Sequence, residues 1–529
     1  MLTSALIPAI ASPLISGWSR KSSVDPLLKA VRAAFANGER GFVYDNNDLT
    51  AMFRDFSSTT AVPNEAVALQ LDKHKGLAEG ANVRTSGALF LQGTAAAATF
   101  NDSTGVGSVT RVDGSNQSYR RYDGLLPNTL YKLTFSAISG SLSLRTGTYS
   151  NAAFSQPSTP GVHWCLSSAT GAIAITSTGP ATITYTLDSI KAVPGYHSHQ
   201  TIPASRAILR GTPVNPPVFY DDFSSSAGWS LGSGWSIAGG KLTRVSSGSG
   251  GAVADKAFAS EYNRVYRVRI AVDSITPGSA NVSVRLSGGT QVIGPSLTTP
   301  GLKEFWMIGN GTNTTMRIAA TNFDLECAID YIQIDDVSAD VVTAPYGLQY
   351  DNVDDFYNIA TMDLTGTSKI TLMWGARRPD TAVVANGLLI ESSTQSATNN
   401  GAIRIVQNGG SASCWEVGIR GTTAQSQYRQ LITGPSTNVL FIRADLSVVS
   451  GSLADQLSLE VDGNPVTIVA AGTTGGTTFG NYPWYRGRRA GTTQQAGGLD
   501  FGGVLLSRHP TAQEAIDLKA FGANRTHGT

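Results

Sequence analysis

Cysteine is scarce: Cys165, Cys327 and Cys414 are the only three in 529 residues, and an odd number cannot all pair within one chain. No C-x-x-C spacing offers a zinc site. Each sits in an apolar, strand-like setting, so all three read as small core residues. Charge is low as well, 15% of residues, and balanced, with 39 basic against 38 acidic side chains and a net charge of +1. A surface that neutralises phosphates must be basic, so nucleic acid is not expected as a partner. Long hydrophobic runs are missing. The opening stretch MLTSALIPAIASPLISGW is apolar, but Pro8 and Pro13 interrupt it, and Arg20 and Lys21 follow it rather than precede it. That order is wrong for a secretory signal, and the stretch is too short and broken to span a membrane, so membrane insertion is not expected. Two readings remain for it: an extended leader that docks into a groove on a partner, and a frayed terminus. Also lacking are H-E-x-x-H, G-x-S-x-G and glycine-rich phosphate loops, heptads and Gly-x-y tracts, and the short repeats of a β-helix.

What is abundant is glycine, 57 residues, set among Ser, Thr and β-branched runs. That composition predicts many short strands joined by tight turns. The length points to roughly three or four domains of about 100–200 residues. One helix opens the chain: Asp25 caps it, Pro26 suits its first position, Leu27, Leu28, Val31, Ala34 and Phe35 form its apolar stripe, and Gly38 ends it. A final short helix has a capping box, Thr511 and Glu514, with Gly522 as its stop. Between them two stretches look alike. NTLYKLTFSAI (128–138) closes with TITYTLDSIKAV (182–193), and NRVYRVRIAV (263–272) closes with ECAIDYIQIDDV (326–337). In each, a Tyr-led alternating strand precedes, by 57 residues (131 to 188) or 64 (266 to 330), a strand that carries Asp then Ile. Alternation buries one face of each strand, and regular strands with Gly/Ser/Asn turns argue for a sandwich. The expected division is a leader and helix at 1–40 that docks the chain, a module start at 41–94, β-sandwich repeats at 95–193 and 218–340 flanking a linker at 194–217, and a third β unit at 345–529. In that last unit, Asp462-Gly463 within LSLEVDGNPVTIVA marks a hairpin.

The segment GFVYDNNDLTAMFRDFSSTTAVPNEAVALQLDKHKGLA (41–78) resembles a stretch found in bacteriophage structural proteins, through Tyr44, Asp45, Asp48 and Leu49, then Phe53 and Asp55, then Leu71, Asp72 and Lys73. In that family a linker with a His, a Gln and an Ala-Ser-Arg follows, here HSHQTIPASRAIL (197–209). A strand opening a concanavalin A-like, laminin-G-like sandwich comes next, here LQYDNVDDFYNI (348–359). GRRAG (487–491) and GGLDFGGVLLSRHPTAQEAIDL (497–518) are similar to that sandwich's end. The resemblance implies one module in three pieces, with the two repeats inserted where exposed loop ends tolerate it. The repeats themselves resemble carbohydrate-binding-module jelly rolls in Gly228-Trp229, Gly234-Trp235 and the Asp-x-Ile strand. The expected fold class is therefore mainly β: two jelly-roll repeats plus a concanavalin A-like sandwich, with a short N-terminal helix.

Concanavalin A-like hydrolases carry alternating acids, Glu-x-Asp-x-x-Glu, at the spacing glycoside hydrolysis needs. No such run exists here, and Asp354-Asp355 reads as a solvated turn pair at a strand start. No catalytic residue is expected, and no enzyme activity. Glycan binding would use exposed aromatic platforms: Trp229, Trp235, Trp164 and the cluster Tyr482, Trp484 and Tyr485, with Arg486 to hold carboxylated sugars. Against this, sandwich cores usually contain a Trp. No cofactor is expected. Calcium is the one ion to consider, because Asp188 and Asp330 fall where related jelly rolls carry a calcium ligand. Calcium takes six to eight oxygens, however, and one Asp per repeat also reads as an edge residue beside a turn.

The expected function is that of a phage virion protein made in the host cytoplasm: a tail fibre, receptor binder or baseplate component for host-surface attachment. It would dock other virion proteins through its N-terminal segment, bind a host glycan or protein, and form a homo-oligomer, a trimer by the resemblance. The alternatives are a secreted carbohydrate-binding accessory protein or adhesin, and a capsid-attached fibre or decoration protein. A polysaccharide depolymerase is disfavoured by the missing acid pairs.

Overall fold

The structure, a computed structural model, describes residues 25–528 apart from 58, 93–96, 114–116, 149, 215, 247–251, 277–280, 321–324, 379–385, 410–413, 423–424, 433–435, 450, 469–474 and 492. The apolar leader before Asp25 lies outside the described residues. The chain is mainly β, arranged as antiparallel sheets packed into sandwiches.

The third β unit draws its strands from distant parts of the chain. In one of its sheets, Gly497–Leu506 lies between Lys369–Arg378 on one side and two strands placed end to end on the other. One of these is Val342–Asp351, which pairs Leu348 with Asp500. The other is Gly41–Asp45, which pairs Gly41 with Leu506 and Asp45 with Gly502. Ile208–Pro213 extends the same sheet beside Val342–Asp351. The opposing sheet runs from Met52–Phe53 through Leu69–Gln70 and Ser198–His199 to Tyr357–Asp363 and Asn481–Arg486, then on to the edge at Gln425–Leu431. The core between the sheets holds Phe42, Trp374, Trp415 and Trp484. On the outer side of the first sheet, the opening and closing helices bury Leu28, Val31, Leu518 and Phe521 against Met373, Val439 and Phe441.

Asp25 caps the first helix, Pro26–Ala33, by accepting from Leu27 N. The closing helix, Ala512–His527, has the Thr511–Glu514 capping box but does not stop at Gly522. It passes through that glycine to a left-handed Gly528. A Cβ on Gly522 would lie 2.5 Å from Met373 Sδ and 2.8 Å from Val439 Cγ1, so the missing side chain lets the helix sit close on the sheet. Asp462 and Gly463 both have positive φ (50° and 77°) and join Leu457–Val461 to Asn464–Pro465 as a two-residue hairpin.

The two similar stretches fold alike. Leu130–Ile138 pairs antiparallel with Ala181–Val193, and Tyr262–Ile275 with Cys327–Asp336. Asp188 is skipped between Leu187 and Ser189 in the first ladder, and Asp330 between Ile329 and Tyr331 in the second, so each sits at a β-bulge. In both stretches the leading tyrosine is buried and its hydroxyl accepts from the backbone N–H five residues upstream: Leu126 for Tyr131 and Glu261 for Tyr266, each at 2.9 Å. The first stretch closes into one ten-stranded sheet folded over a core of Leu133, Phe135, Ile175 and Tyr185. That sheet begins at Ala88–Gln92, which pairs with Gln117–Tyr122, ahead of the residue 95 start expected from the sequence. The second stretch has a six-stranded and a five-stranded sheet enclosing Val268, Ile270, Ile318 and Ile332.

Candidate functional site

The residues expected to bind glycan do not form a site. Trp484 and Trp235 are 1% and 6% exposed, and Trp164 is 5% exposed, so none of these rings can stack on a sugar. Trp484 packs edge-on against Phe42 in the third unit's core. Arg486 is fully buried and pairs with Asp500 at 2.8 Å, also fully buried. Its Nη1 donates to Gln70 Oε1 at 2.7 Å, and its guanidinium lies over the Tyr44 and Trp374 rings. The alternation around Tyr482–Arg486 was legible, but it places Trp484 and Arg486 inward. Tyr482 is half-buried, its hydroxyl donating to Asn400 O at 2.8 Å. Tyr485 is likewise half-buried. Trp229 is half-buried against Phe223, and its Nε1–H donates to Asp221 at 3.1 Å. Trp229 and Trp235 belong to the second repeat and the Tyr482–Arg486 group to the third unit, so the five candidates are not brought together.

The calcium candidates differ from each other. Asp188 is exposed and accepts from Ser136 Oγ at 2.9 Å. Asp330 is already neutralised: Lys241 Nζ lies 3.0 Å from it and 2.8 Å from Asp273, an ammonium placed between two carboxylates where a metal ion would have to go. The three cysteines are buried. Burial raises each thiol, that of Cys327 to about 12, so none is a thiolate nucleophile at neutral pH.

A different site stands out where the second repeat meets the third unit. In the strand Gly301–Asn310, Phe305 and Met307 point into the repeat's own core, so the alternate residues Glu304 and Trp306 point out. The register puts Arg269 beside Glu304 and Gln333, and Arg267 beside Trp306 and Asp335. Asp335 binds both guanidinium groups, at 3.0 and 3.2 Å. Farther along this outer face Tyr220 and Tyr331 form an aromatic pair with centroids 6.2 Å apart, Tyr220 being largely exposed. Opposite Glu304 and Trp306 stands the end of the third unit. Arg377 pairs with Glu304 at 2.7 Å, and Arg210 lies over the Trp306 ring at 5.2 Å. Between the two bodies is a cleft of about 510 Å³, floored by Pro295, Leu297 and Phe305 and walled by Arg210, Gln349, Asp351, Asp355 and Arg377.

Asp351 and Asp355, which line this cleft, bring carboxylate oxygens within 4.8 Å of one another and of Asp354, and among the described residues these three could hold a cation. Part of each carboxylate is committed to the loop itself. Asp351 Oδ1 accepts from Val353 N (2.8 Å) and Asp354 N (3.2 Å), Asp355 Oδ2 from Asp351 N (2.8 Å), and Asp354 Oδ2 from Ser205 Oγ (2.8 Å). Asp355 is 5% exposed rather than solvated in a turn. Burial, then the charge of Asp351, pushes its carboxyl up to about 7. Burial also lowers Arg210 to about 10 and lowers Arg377 despite the neighbouring Glu304.

Sequence reasoning missed this site because its members come from segments far apart in the chain, around Arg210, Pro295–Trp306, Gln349–Asp355 and Arg377. The clues present were the acid run in DNVDD (351–355) and the outward phase of Trp306 in KEFWMIG (303–309).

The site thus presents an indole, guanidinium donors and carboxylate acceptors around an apolar floor. No family model matches the chain. No curated protein matches it in sequence. Matches among solved structures are weak. The tandem N-terminal CBM22 domains of Paenibacillus barcinonensis Xyn10C are 10% identical and cover 49% of this chain and 100% of their own, with a TM-score of 0.19. The extracellular region of zebrafish Gpr126/Adgrg6 is 10% identical over 50% of this chain, which spans 34% of that region, with a TM-score of 0.21. Trypanosoma rangeli sialidase in complex with the inhibitor DANA is 9% identical over 90% of this chain and 94% of its own, with a TM-score of 0.24. At these TM-scores the likenesses carry no weight for function.

Proposed function

We propose that this chain is a non-enzymatic attachment protein that binds glycan in the cleft between its second sandwich and its third β unit. One observation carries the reading: Trp306 and Glu304, turned out of their own sandwich, meet Arg210, Arg377 and Asp351 across a cleft of about 510 Å³. A sugar offers hydroxyls that pair with guanidinium and carboxylate groups, and C–H faces that pack on an indole. The other half of the reading, that the chain works in a bacteriophage particle as a tail fibre or baseplate component, docked through its N-terminal segment and oligomeric, rests on the resemblance of 41–78, 197–209 and 348–359. No cofactor is assigned. A glycan array probed with the full chain tests the binding reading. It predicts a restricted set of bound glycans and loss of that binding in Trp306→Ala. An array left unbound, or binding indifferent to that substitution, would remove the cleft as the site.

A second reading, glycoside hydrolysis, is favoured by one feature: Asp355, protonated up to about pH 7, beside Asp351. A carboxyl still protonated near neutral pH, with a second carboxyl close by, is the general-acid arrangement a glycoside hydrolase uses. The backbone amides gathered by Asp351 and Asp355 supply a structural reason for both. Release of reducing ends from a bound glycan, abolished in Asp355→Asn, would establish hydrolysis in place of binding alone.

A further inference from the structure

Resting on the glycan-binding reading of this cleft, we infer that its ligand is an acidic sugar, a uronate- or sialate-type residue whose carboxylate is held by Arg210. The fully buried Arg378 is held by Asn408 Oδ1 and the Ile432 carbonyl, but four other buried guanidinium groups have acids beside them: Asp500 for Arg486, Glu391 for Arg489, Glu416 for Arg404 and Asp45 for Arg525. Arg210 does not. Its Nε donates to Gln349 Oε1 at 2.6 Å and its Nη1 to Asn64 Oδ1, both neutral amide oxygens. Among the described residues no carboxylate pairs with it, and its Nη2 has no acceptor. Arg210 is half-buried between Trp306 and the strand Val342–Asp351.

A guanidinium partly withdrawn from water without a counter-ion carries a desolvation cost that no protein charge offsets. A carboxylate entering the cleft would supply the missing charge and take the idle Nη2 donors in a charge-assisted hydrogen bond. The two amides already hold Nε and Nη1, so the planar group is oriented before a ligand arrives. Arg377, by contrast, is neutralised by Glu304 in the protein itself, and Lys303, also in the cleft lining, is buried with its Nζ donating to Thr299 Oγ1 and Pro300 O, so Arg210 is the cation best placed for the ligand. Asp351, exposed at the other side of the cleft, is placed to accept from sugar hydroxyls.

The test is an array of uronate- and sialate-containing glycans printed beside their carboxyl-reduced counterparts, probed with the full chain and with Arg210→Gln. The expected result is binding of an acidic glycan, weakened at least about tenfold on carboxyl reduction, the order of one charge-assisted hydrogen bond. Arg210→Gln should bind the acidic and reduced forms alike, with its melting temperature showing that it is folded. Comparing the two ligand forms on the unaltered protein keeps the test sound even if that variant does not fold. Equal binding of acidic and reduced glycans by the unaltered protein would overturn the role of Arg210 and leave glycan binding standing. Binding of neither would overturn both.

Discussion

The Arg486 guanidinium lies 2.8 Å from the Asp500 carboxylate, and neither side chain is exposed to solvent. Tyr350 Oη (3.1 Å) and Trp374 Nε1 (3.0 Å) also donate to Asp500, and Gln70, 416 residues from Arg486 in sequence, accepts from Arg486. One buried network thus joins residues from the start, middle and end of the chain inside one sandwich. Removing one member leaves an unpaired charge in the core, which costs about 3–5 kcal/mol. Arg486→Met should lower stability by that amount in urea unfolding followed by tryptophan fluorescence. A loss below about 1 kcal/mol would mean that the pair matters little to this core.

The same geometry makes a prediction about pieces of the chain. Residues 345–529 expressed alone lack the strands Gly41–Asp45, Leu69–Gln70, Ser198–His199 and Ile208–Pro213, leaving both sheets with bare edges. That fragment should fail to show a cooperative thermal transition. Residues 218–340 contain every strand of their own two sheets and should melt cooperatively alone. A cooperative 345–529 fragment would contradict the interleaved architecture.

Tyr131 and Tyr266 occupy matching places in the two repeats, and each hydroxyl satisfies a backbone N–H. Tyr131→Phe and Tyr266→Phe should each cost about 1 kcal/mol, measured by denaturant unfolding. Unequal effects, with one substitution neutral, would argue that the two corners are not energetically equivalent.

Much of this fold could be read from the residues. Alternation in Leu130–Ile138 and Tyr262–Ile275 marked the paired strands, and Asp462-Gly463 marked its hairpin, because these signals are local. Gly522 misled for the opposite reason: as a local signal it ends a helix, but Met373 and Val439 across the interface decide its role. The site was less legible. Trp484 and Arg486 carry suitable chemistry for sugar binding, yet strand phase turns them inward, while Arg210, Trp306 and Asp351 meet only once three segments have folded together.

Asp355 makes stability depend on pH. Burial pushes its folded-state carboxyl from the ordinary aspartate value of 3.8 up to about 7, so near neutral pH the native state holds a proton that the unfolded chain has released. Its stabilising contribution is full below about pH 4 and is lost progressively as pH rises to about 7. Melting temperature should therefore fall between pH 5 and pH 8 more steeply in the unaltered protein than in Asp355→Asn. Parallel profiles would show that Asp355 is ionised in the fold.

Hydrogen–deuterium exchange on the full chain, with and without a saturating array-selected glycan, tests the cleft most directly. New protection should be confined to Gly301–Asn310, Ile208–Pro213 and the 351–355 loop. Protection centred on 481–486 or 229–238, with none at the cleft, would contradict the assignment.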